Sequence, residues 1–418
     1  MADFDVRGRT VIFRPDINSP IDPGTKRIAN TNRIEKTVPT LNWLLERGAK
    51  VALIAHQGDT LDYQNLIPLA EHAEKLAALC GRKVAYIDDV CGPAARDAVR
   101  ALGEGETVIL GNLRYLAEEI STFESAVKLK AHEMLDTWLM RSLAPLADLY
   151  VNDAFAAAHR NAPSMVAFQE LLPTAGGIQL MEEYTALKSV MEGPKRPCVY
   201  VLGGAKISDA FDMMRKVLED GAADQILAAG VTGLVMLIAK GIEVGQTTRR
   251  FLKDRGLEEF IPEAKRLLET WGSKYLLPLD LAHEDGGKRA ELDVPDAGTI
   301  SRDVSFPDVG RKTIARFAES IARAGSVFVN GPAGMYESPL WEEGTRDIWR
   351  AIEAAPGYTV IGGGDTISAA SKFTDLSKFD YVCTGGGAMV RFLAGKRLPL
   401  IEAMEKAYER DLRAPLRR

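Results

Sequence analysis

Residues 359–368 read TVIGGGDTIS, and this stretch decides the fold class. A short β-branched run predicts a strand, three glycines follow it, and Asp365 and Thr366 open the next segment. In open α/β sheets, ligands bind beyond the carboxyl ends of the strands, and glycines there let backbone N–H groups come close to an anion. The stretch therefore predicts a strand, an anion-binding turn and the start of a helix.

The second half of the chain repeats this arrangement at three other places. Apolar runs end in glycine in YVLGGAK (200–206), VFVNGPAG (327–334) and VCTGGGA (382–388). Lys206 adds a point charge that suits a phosphate, and the carboxylate of Asp365 suits an Mg²⁺ ion carried by a nucleotide. A single glycine-rich turn is commonly only a turn, but four at strand ends in one half predict a nucleotide polyphosphate site. The sequence contains neither a GxxxxGK[ST] loop nor the VAIK, HRD and DFG segments of protein kinases.

Short β-branched runs alternate with longer helical patterns through most of the chain. They predict strands at 10–13, 50–55, 83–87, 107–110 and 148–151 in the first half, and at 198–202, 225–229, 326–329, 358–361 and 381–384 in the second. Apolar strands that alternate with helices are typical of parallel sheets covered on both faces. The predicted fold class is α/β, with two Rossmann-like domains, each a parallel sheet flanked by helices.

The predicted strand ends of the first half carry polar and basic side chains. The candidates are Asp16, Asn18, His56, Asp153, His159, Arg114 and Arg160, with Arg33 at the predicted start of a helix. Planar guanidinium groups fit carboxylate and phosphate, so arginines gathered at one edge of a sheet predict a small, highly anionic substrate. His72 and His132 fall in helical patterns and are set aside.

A long helix is predicted between the two series of strands. It opens after Pro173 and closes at Gly193, and its apolar stripe is formed by Ile178, Met181, Tyr184, Leu187 and Met191. We expect it to join two domains. The predicted ranges are an N-terminal substrate-binding domain at 1–174, an interdomain hinge helix at 175–195, a C-terminal nucleotide-binding domain at 196–395, and a segment at 396–418 that packs back on the N-terminal domain.

Composition narrows the class of protein further. The formal net charge is −6, which leaves no excess of Lys and Arg to neutralise the phosphates of a nucleic acid. The four cysteines form no CxxC pair, which favours reduced thiols in the cytoplasm. The N-terminus is acidic and polar, and the longest apolar run, 226–239, is too short for a bilayer of ~30 Å. We expect a cytoplasmic protein that binds neither nucleic acid nor membrane.

The segments taken together resemble the phosphoglycerate kinase family, in order and over nearly the whole chain. The segments of the first half that carry the resemblance are FRPDINSP (13–20), RIEKTVPTL (33–41), AHQG (55–58), LGNLRY (110–115) and VNDAFAAAHR (151–160). PTAGGIQLMEEY (173–184) resembles the family's interdomain helix, and the nucleotide-lobe segments are GGAKISD (203–209), NGPAGMYE (330–337), GGGDT (362–366) and TGGGA (384–388). The residues of DINSP and AHQ resemble archaeal-type members more than the common bacterial form.

The resemblance implies an activity and a set of site residues. The activity is reversible phosphoryl transfer between ATP and the carboxylate of 3-phosphoglycerate, with Mg²⁺ as cofactor. The implied substrate site is Asp16, Asn18, Arg33, His56, Arg114 and Arg160. The implied nucleotide site is Gly203, Gly204, Lys206, Gly230, Asn330, Pro332, Glu337, Gly363, Gly364, Asp365 and Thr366, with Glu337 facing the ribose and Asp365 the metal. The residues implied at the transferring phosphoryl group are Arg33, Lys206, Gly364 and Gly387.

Three positions depart from the family pattern. Asp59 stands where the family usually has an arginine that holds the substrate phosphate, Ala210 where many members have lysine, and Gly111 where glutamate is usual. Losing a hydrogen bond to a charged group costs ~1.5–3 kcal/mol before repulsion is counted. Either Asp59 points away from the site, or the substrate differs from 3-phosphoglycerate.

Two other functions stay open at this point. The first is a related kinase that phosphorylates a different small carboxylate, which Asp59 motivates. The second is a catalytically silent protein that binds a nucleotide. A Rossmann dehydrogenase is disfavoured because no GxGxxG follows the first strand.

Overall fold

The structure is a computed structural model, and it describes residues 1–59 and 61–413, without the side chains of the last two. Its contacts divide the chain into two compact units. The first unit is Met1–Tyr184 with Arg397–Arg418, as far as that segment is described, and the second is Thr185–Lys396. Among the described residues, no helix combines the length and the apolar character that crossing a membrane requires.

The first unit is built on a six-stranded parallel sheet. Its strands are β1 (Thr10–Pro15), β2 (Lys50–Leu53), β3 (Ala85–Tyr86), β4 (Thr107–Ile109), β5 (Leu149–Asp153) and β6 (Thr174–Gly176). Their order in the sheet is β3-β4-β2-β1-β5-β6. The strand order reverses beside β1, so the loops after β1 and β5 open on the crevice where such sheets bind ligands.

Helices cover this sheet. They are α1 (Asn32–Glu46), α2 (Ala70–Cys80), α3 (Pro93–Arg100), α4 (Ser121–Val127), α5 (Trp138–Leu143), α6 (Pro163–Val166), α7 (Phe168–Leu171), the first part of α8 (Ile178–Met191) and, from the end of the chain, α17 (Pro399–Arg413). Val11 and Phe13 of β1 share one buried core with Leu41 and Leu44 of α1. The backbone N–H of Leu400 in α17 donates to the carbonyl of Ala158 at 3.2 Å.

The second unit contains a second six-stranded parallel sheet and smaller sheets. Its strands are β7 (Cys198–Leu202), β8 (Gln225–Ala228), β9 (Ile242–Glu243), β10 (Tyr275–Leu276), β11 (Asp280–Asp285), β12 (Lys288–Asp293), β13 (Gly298–Thr299), β14 (Asp308–Val309), β15 (Ser326–Asn330), β16 (Tyr358–Gly362) and β17 (Tyr381–Cys383). The order in the main sheet is β10-β8-β7-β15-β16-β17. This is the doubly wound order with its reversal between β7 and β15, which is the expected place for a ligand.

The helices of the second unit connect these strands. After the rest of α8 they are α9 (Ile207–Glu219), α10 (Gly230–Ala239), α11 (Gln246–Asp254), α12 (Ile261–Trp271), α13 (Arg311–Ile321), α14 (Glu343–Glu353), α15 (Gly364–Phe373) and α16 (Gly386–Leu393). Alternate residues Val199 and Val201 of β7 belong to the same buried core as Phe317 of α13 and Trp349 of α14.

The predicted fold class is confirmed, because both large sheets are parallel and flanked by helices. All ten predicted strands are present, and each boundary lies within two residues of its prediction. The helix predicted at 175–195 is shorter, since Thr174–Gly176 forms β6 and α8 ends at Met191. Its role as an interdomain hinge and the predicted domain ranges stay predictions.

Candidate active site

His56 lies at the centre of a basic cluster in the first unit. It follows β2, is buried, and its Nδ1 lies 2.9 Å from a guanidinium nitrogen of Arg14. Burial lowers the pKa of His56 well below 6.5, and the positive charges of Arg14, Arg114, Arg33 and Arg160 lower it further. Since arginine only donates, Nδ1 of the neutral ring accepts and Nε2 carries the proton. His56 can therefore donate to an anion but adds no charge of its own.

The loops after β1 and β2 are held together by Asp16 and Asn18. Asp16 forms a 2.6 Å ion pair with Arg33 in the first turn of α1, and it also accepts from the backbone N–H of Asn18. The side chain of Asn18 accepts from the backbone N–H of Gly58 at 3.1 Å. The structure thus brings the predicted substrate residues of three segments to one edge of the sheet.

Arg114 and Arg160 complete this cluster. Arg114 is buried, donates through Nε to the carbonyl of Gly58 at 3.3 Å, and donates to the carbonyl of Glu119. Burial and the neighbouring charge of Arg160 lower the pKa of Arg114 to about 10. Arg160 forms a 2.6 Å ion pair with Glu124.

Asp59 turns toward the arginines. Its Oδ2 lies 3.5 Å from Nε of Arg114 and 3.8 Å from Nη1 of Arg160, and Ser121 donates to the same oxygen. Of the two alternatives that Asp59 left open, the one in which it points away from the site is therefore wrong. The physical reason is that two guanidinium groups at this edge of the sheet attract the nearest carboxylate.

Several supporting residues of this cluster were missed by sequence reasoning. Arg14 is a buried arginine inside β1, and its signal was a basic residue in an otherwise apolar run. Gln57 accepts from the backbone N–H of Ser19 at 2.8 Å and is 3.0 Å from Nε2 of His72. His72, which the sequence reading set aside, is fully buried and supports the loop that carries His56.

Asp153, one of the candidates at the strand ends, has a structural role. Its carboxylate accepts from Thr40 Oγ1 at 2.5 Å and from the backbone N–H of Leu180 at 2.8 Å, while Thr40 accepts from the backbone N–H of Ile178. Asp153 therefore caps the first turn of α8. Burial raises the pKa of Asp153 to about 6.

The second unit has a cleft of about 420 Å³ at the carboxyl ends of β7, β8 and β15. It is lined by Gly204, Ala205, Gly230, Val231, Leu234, Thr248, Phe251, Ser305, Phe306, Pro307, Pro332, Gly334, Met335, Tyr336, Glu337 and Asp365. The apolar side chains of this lining, such as Phe251 and Met335, were missed. No local pattern identifies them, because separate segments bring them together.

Two glycine-rich loops pack against each other at the reversal of the strand order. The backbone N–H of Gly203 donates to the carbonyl of Asn330 at 2.9 Å, and that of Gly204 to the carbonyl of Pro332 at 2.8 Å. A Cβ at position 203 would lie 2.2 Å from the Pro332 carbonyl oxygen, so only glycine fits. These two N–H groups hold the loops together, and Gly204 lies in the lining of the cleft.

The triple glycine forms the turn into α15. Gly363 precedes the helix at φ 104, and a Cβ there would lie 2.7 Å from the side-chain nitrogen of Asn330. Asn330 donates to the carbonyl of Gly362 at 2.8 Å, and Thr366 accepts from the backbone N–H of Gly331 at 2.8 Å. A Cβ at Gly364 would meet nothing within 4 Å, and Gly364 is the exposed first residue of α15. The first N–H groups of a helix have no partner within it, so this turn can bind an anion.

Lys206 and Asp365 are exposed beside this turn. Nζ of Lys206 lies 3.5 Å from Oδ2 of Asp365, and their side chains are 78% and 69% exposed. Within residues 1–59 and 61–413, no three His, Cys, Asp or Glu side chains are grouped as a metal site. A single carboxylate fits an Mg²⁺ ion that takes most of its ligands from phosphate oxygens and water.

Two of the departures from the family pattern have a local explanation. Ala210 is buried on the inner face of α9, so a lysine there would need a different packing. A Cβ at Gly111 would lie 3.1 Å from backbone atoms of Asp89 and Val90, which leaves little room for glutamate.

The geometry defines a class of protein. Glycine loops at the reversal point of the doubly wound second unit, and clustered arginines at one sheet edge of the first unit, are typical of an α/β phosphotransferase. The sequence model of the family described as phosphoglycerate kinase matches residues 1–396. The chain belongs to the phosphoglycerate kinase family.

Relatives of known name agree with this membership over nearly their whole length. Phosphoglycerate kinase of Methanothermobacter thermautotrophicus is 38% identical over 97% of this chain and 96% of its own. That of Methanothermus fervidus is 37% identical over 98% of both chains. The crystal structure of phosphoglycerate kinase from Pyrococcus horikoshii has a TM-score of 0.84 at 34% identity and covers 98% of this chain and 99% of its own.

Proposed function

We propose that this phosphotransferase transfers the γ-phosphoryl group of ATP reversibly to the carboxylate of 3-phosphoglycerate, which yields 1,3-bisphosphoglycerate and ADP in glycolysis. The curated relatives, which are named phosphoglycerate kinase, support this activity. They give no support to the alternative of a kinase for a different carboxylate. The inward position of Asp59 is compatible with 3-phosphoglycerate, because its contacts with Arg114 and Arg160 are 3.5 and 3.8 Å long and a phosphate can displace them.

The observation that carries the proposal is the arginine cluster around His56. Arg14 contacts the ring of His56 at 2.9 Å, and Arg114 and Arg160 lie 3.5 and 3.8 Å from one oxygen of Asp59, so these two guanidinium groups are close enough to bind one small anion. A substrate with a carboxylate and a phosphate offers the two planar or near-planar anionic groups that guanidinium groups bind best. We assign Asp16, Asn18, Arg33, His56, Arg114 and Arg160 to substrate binding.

We assign the nucleotide to the cleft of the second unit. Its apolar lining suits the flat base of a nucleotide, and the exposed Glu337 in the lining suits the ribose hydroxyls. The polyphosphate belongs at the open N-terminus of α15, because the first N–H groups of a helix have no partner within it. The proposed nucleotide residues are Gly203, Gly204, Lys206, Gly230, Asn330, Pro332, Glu337, Gly363, Gly364, Asp365 and Thr366.

The transfer itself requires positioning and charge neutralisation. A carboxylic acid is already ionised at pH 7, so its oxygen attacks without a general base. Arg33, Lys206 and the amides of Gly364 and Gly387 would stabilise the charge on the equatorial oxygens of the moving phosphoryl group. Asp365 would hold an Mg²⁺ ion carried by the nucleotide, which would supply further neutralisation of that charge.

In-line transfer needs donor and acceptor in contact, so the proposal includes the hinge role predicted for 175–195. We also propose that the protein acts in the cytoplasm, where its four cysteines stay reduced. None of the four forms a disulfide within the described residues. The proposed partners are ATP or ADP and the small carboxylate substrate.

The test is a trapping assay with purified protein, MgATP and hydroxylamine. Acyl hydroxamate should form with 3-phosphoglycerate and depend on Mg²⁺. Glycerate, which lacks the phosphate, is the matched control and should give little product. ATP binding without hydroxamate from any acid would contradict the proposal and indicate a silent nucleotide-binding protein.

A further inference from the structure

Asp59 places a negative charge inside the arginine cluster. Its Oδ2 reaches both Arg114 and Arg160, at 3.5 and 3.8 Å, and accepts from Ser121. The side chain of Asp59 is 16% exposed, so water screens these contacts only in part. The carbonyl of the preceding Gly58 accepts from Arg114, which fixes the loop at this place.

The two contacts of Asp59 differ from the other ion pairs of the cluster. Glu124 is 2.6 Å from Nε of Arg160, and Asp16 is 2.6 Å from Arg33. Charge-assisted hydrogen bonds are about 2.7–2.9 Å long, so the contacts of Asp59 at 3.5 and 3.8 Å are loose. A stronger anion can replace Asp59 at these guanidinium groups more easily than it can replace Glu124 or Asp16.

The arginines also retain capacity for a ligand. Nη2 of Arg160 is buried and has no hydrogen-bond acceptor within the described part of the chain. A phosphate that bridges Arg114 and Arg160 would gain this donor. It would also lie close to the carboxylate of Asp59, which contacts the same two arginines. Two anions at one guanidinium pair repel each other.

We propose that Asp59 competes with the phosphate group of the substrate for Arg114 and Arg160, and thereby sets how tightly the site holds that phosphate. This inference rests on the proposed function for the identity of the substrate. The competition itself concerns any phosphate at these two arginines. Asp59 is thus an affinity-determining residue, and binding moves its carboxylate off the guanidinium groups.

The test is calorimetric titration of the full chain with inorganic phosphate and with 3-phosphoglycerate. Asp59→Asn keeps the shape and the contact with Ser121 but removes the charge. We expect it to lower the dissociation constants of both ligands by about tenfold, the equivalent of ~1.4 kcal/mol, and to leave the KM for ATP unchanged. The matched control is Asp62→Asn, which removes the same charge from an exposed side chain of the same loop that accepts from Asn65.

Unchanged phosphate binding by Asp59→Asn would overturn the inference, since Asp59 would then not compete for the arginines. Weaker binding would also overturn it, since it would mean that Asp59 orders the arginines. If this variant fails to fold, Ser121→Ala loosens Asp59 without changing any charge. It should tighten phosphate binding by a smaller factor, and weaker binding overturns the inference. Turnover of 3-phosphoglycerate by the wild type is the separate test of the proposed function, so the two can fail independently.

Discussion

At the scale of single residues, the substrate site works because opposite charges are arranged around a neutral histidine. Arg14 contacts His56, the charges of Arg33, Arg114 and Arg160 also lower its pKa, and Asp16, Asp59 and Glu124 partly balance these arginines. A protonated imidazole would add repulsion, and the lowered pKa of His56 prevents it. His56 can therefore donate a hydrogen bond to an anion in its neutral form.

Replacing Arg33 should reduce turnover more than it reduces stability. Arg33→Met removes the guanidinium at the start of α1 that Asp16 holds at 2.6 Å. We expect kcat to fall about 10²–10³-fold, as for the loss of one preorganised donor at developing charge. Arg27→Met, which removes an exposed partner of Glu71 in the same unit, is the control and should leave kcat near the wild-type value. Equal losses in both variants would argue against a role for Arg33 at the phosphoryl group.

The buried His72 predicts how stability depends on pH. Burial lowers its pKa from 6.5 to about 4. In the unfolded chain His72 therefore binds a proton below pH 6.5. In the native state it binds that proton only below about pH 4. Stability is complete above the unfolded pKa and is lost as the pH falls, by ~1.4 kcal/mol per pH unit for one such group. His56 acts in the same direction.

Urea unfolding between pH 7 and 4.5 measures this dependence. His72→Gln should give a shallower decline than the wild type, by about one proton's slope, although its stability at pH 7 falls because the packing changes. His132→Gln alters an exposed histidine and should keep the wild-type slope. Parallel curves for wild type and His72→Gln would show that His72 does not set the pH dependence.

At the scale of elements, the sequence allows the strands and the anion-binding turns to be predicted, because both depend on local patterns. The strand of TVIGGGDTIS ends at Gly362, and α15 begins at Gly364 as expected. The hairpin of β11 and β12 was missed although Gly286 and Gly287, both at positive φ, form the glycine pair that favours such turns. The apolar lining of the cleft and the inward turn of Asp59 could not be predicted, since both depend on distant segments.

Two neighbouring glycines of this turn should respond differently to alanine. Gly363→Ala places a Cβ at φ 104 and 2.7 Å from Asn330, so we expect a loss of stability of ~1–3 kcal/mol. Gly364→Ala puts a Cβ into open space at the first helical position, so stability should be kept or rise by up to ~1 kcal/mol. ATP affinity should nevertheless fall in Gly364→Ala, because the added methyl group covers the amide proposed to bind phosphate.

Thermal unfolding and ATP titration of the two variants separate these effects. Gly272→Ala, where an added Cβ meets nothing within 4 Å, is the control for both measurements. Full ATP affinity in Gly364→Ala would place the polyphosphate elsewhere than the N-terminus of α15.

At the scale of the whole molecule, each unit has its own core and its own candidate ligand site. The substrate residues lie within Met1–Tyr184, and the proposed nucleotide residues lie within Thr185–Lys396. Ligand binding to the native state raises its stability by RT ln(1 + [L]/Kd), about 2.7 kcal/mol at a hundredfold excess over Kd. Each ligand should therefore stabilise the unit that holds it.

Hydrogen exchange measured on individual peptides tests the assignment of one ligand to each unit. 3-Phosphoglycerate alone should slow exchange at 16–20, 56–59 and 112–116, and MgADP alone at 203–207 and 363–367, because amides near a bound ligand open less often. If 175–195 acts as a hinge, its exchange should change only when both ligands are present, since only then is there a reason for the units to close. The Arg33→Met variant should lose part of the first response and keep the second. A nucleotide response confined to Met1–Tyr184 would exclude the proposed assignment of the two ligands to the two units.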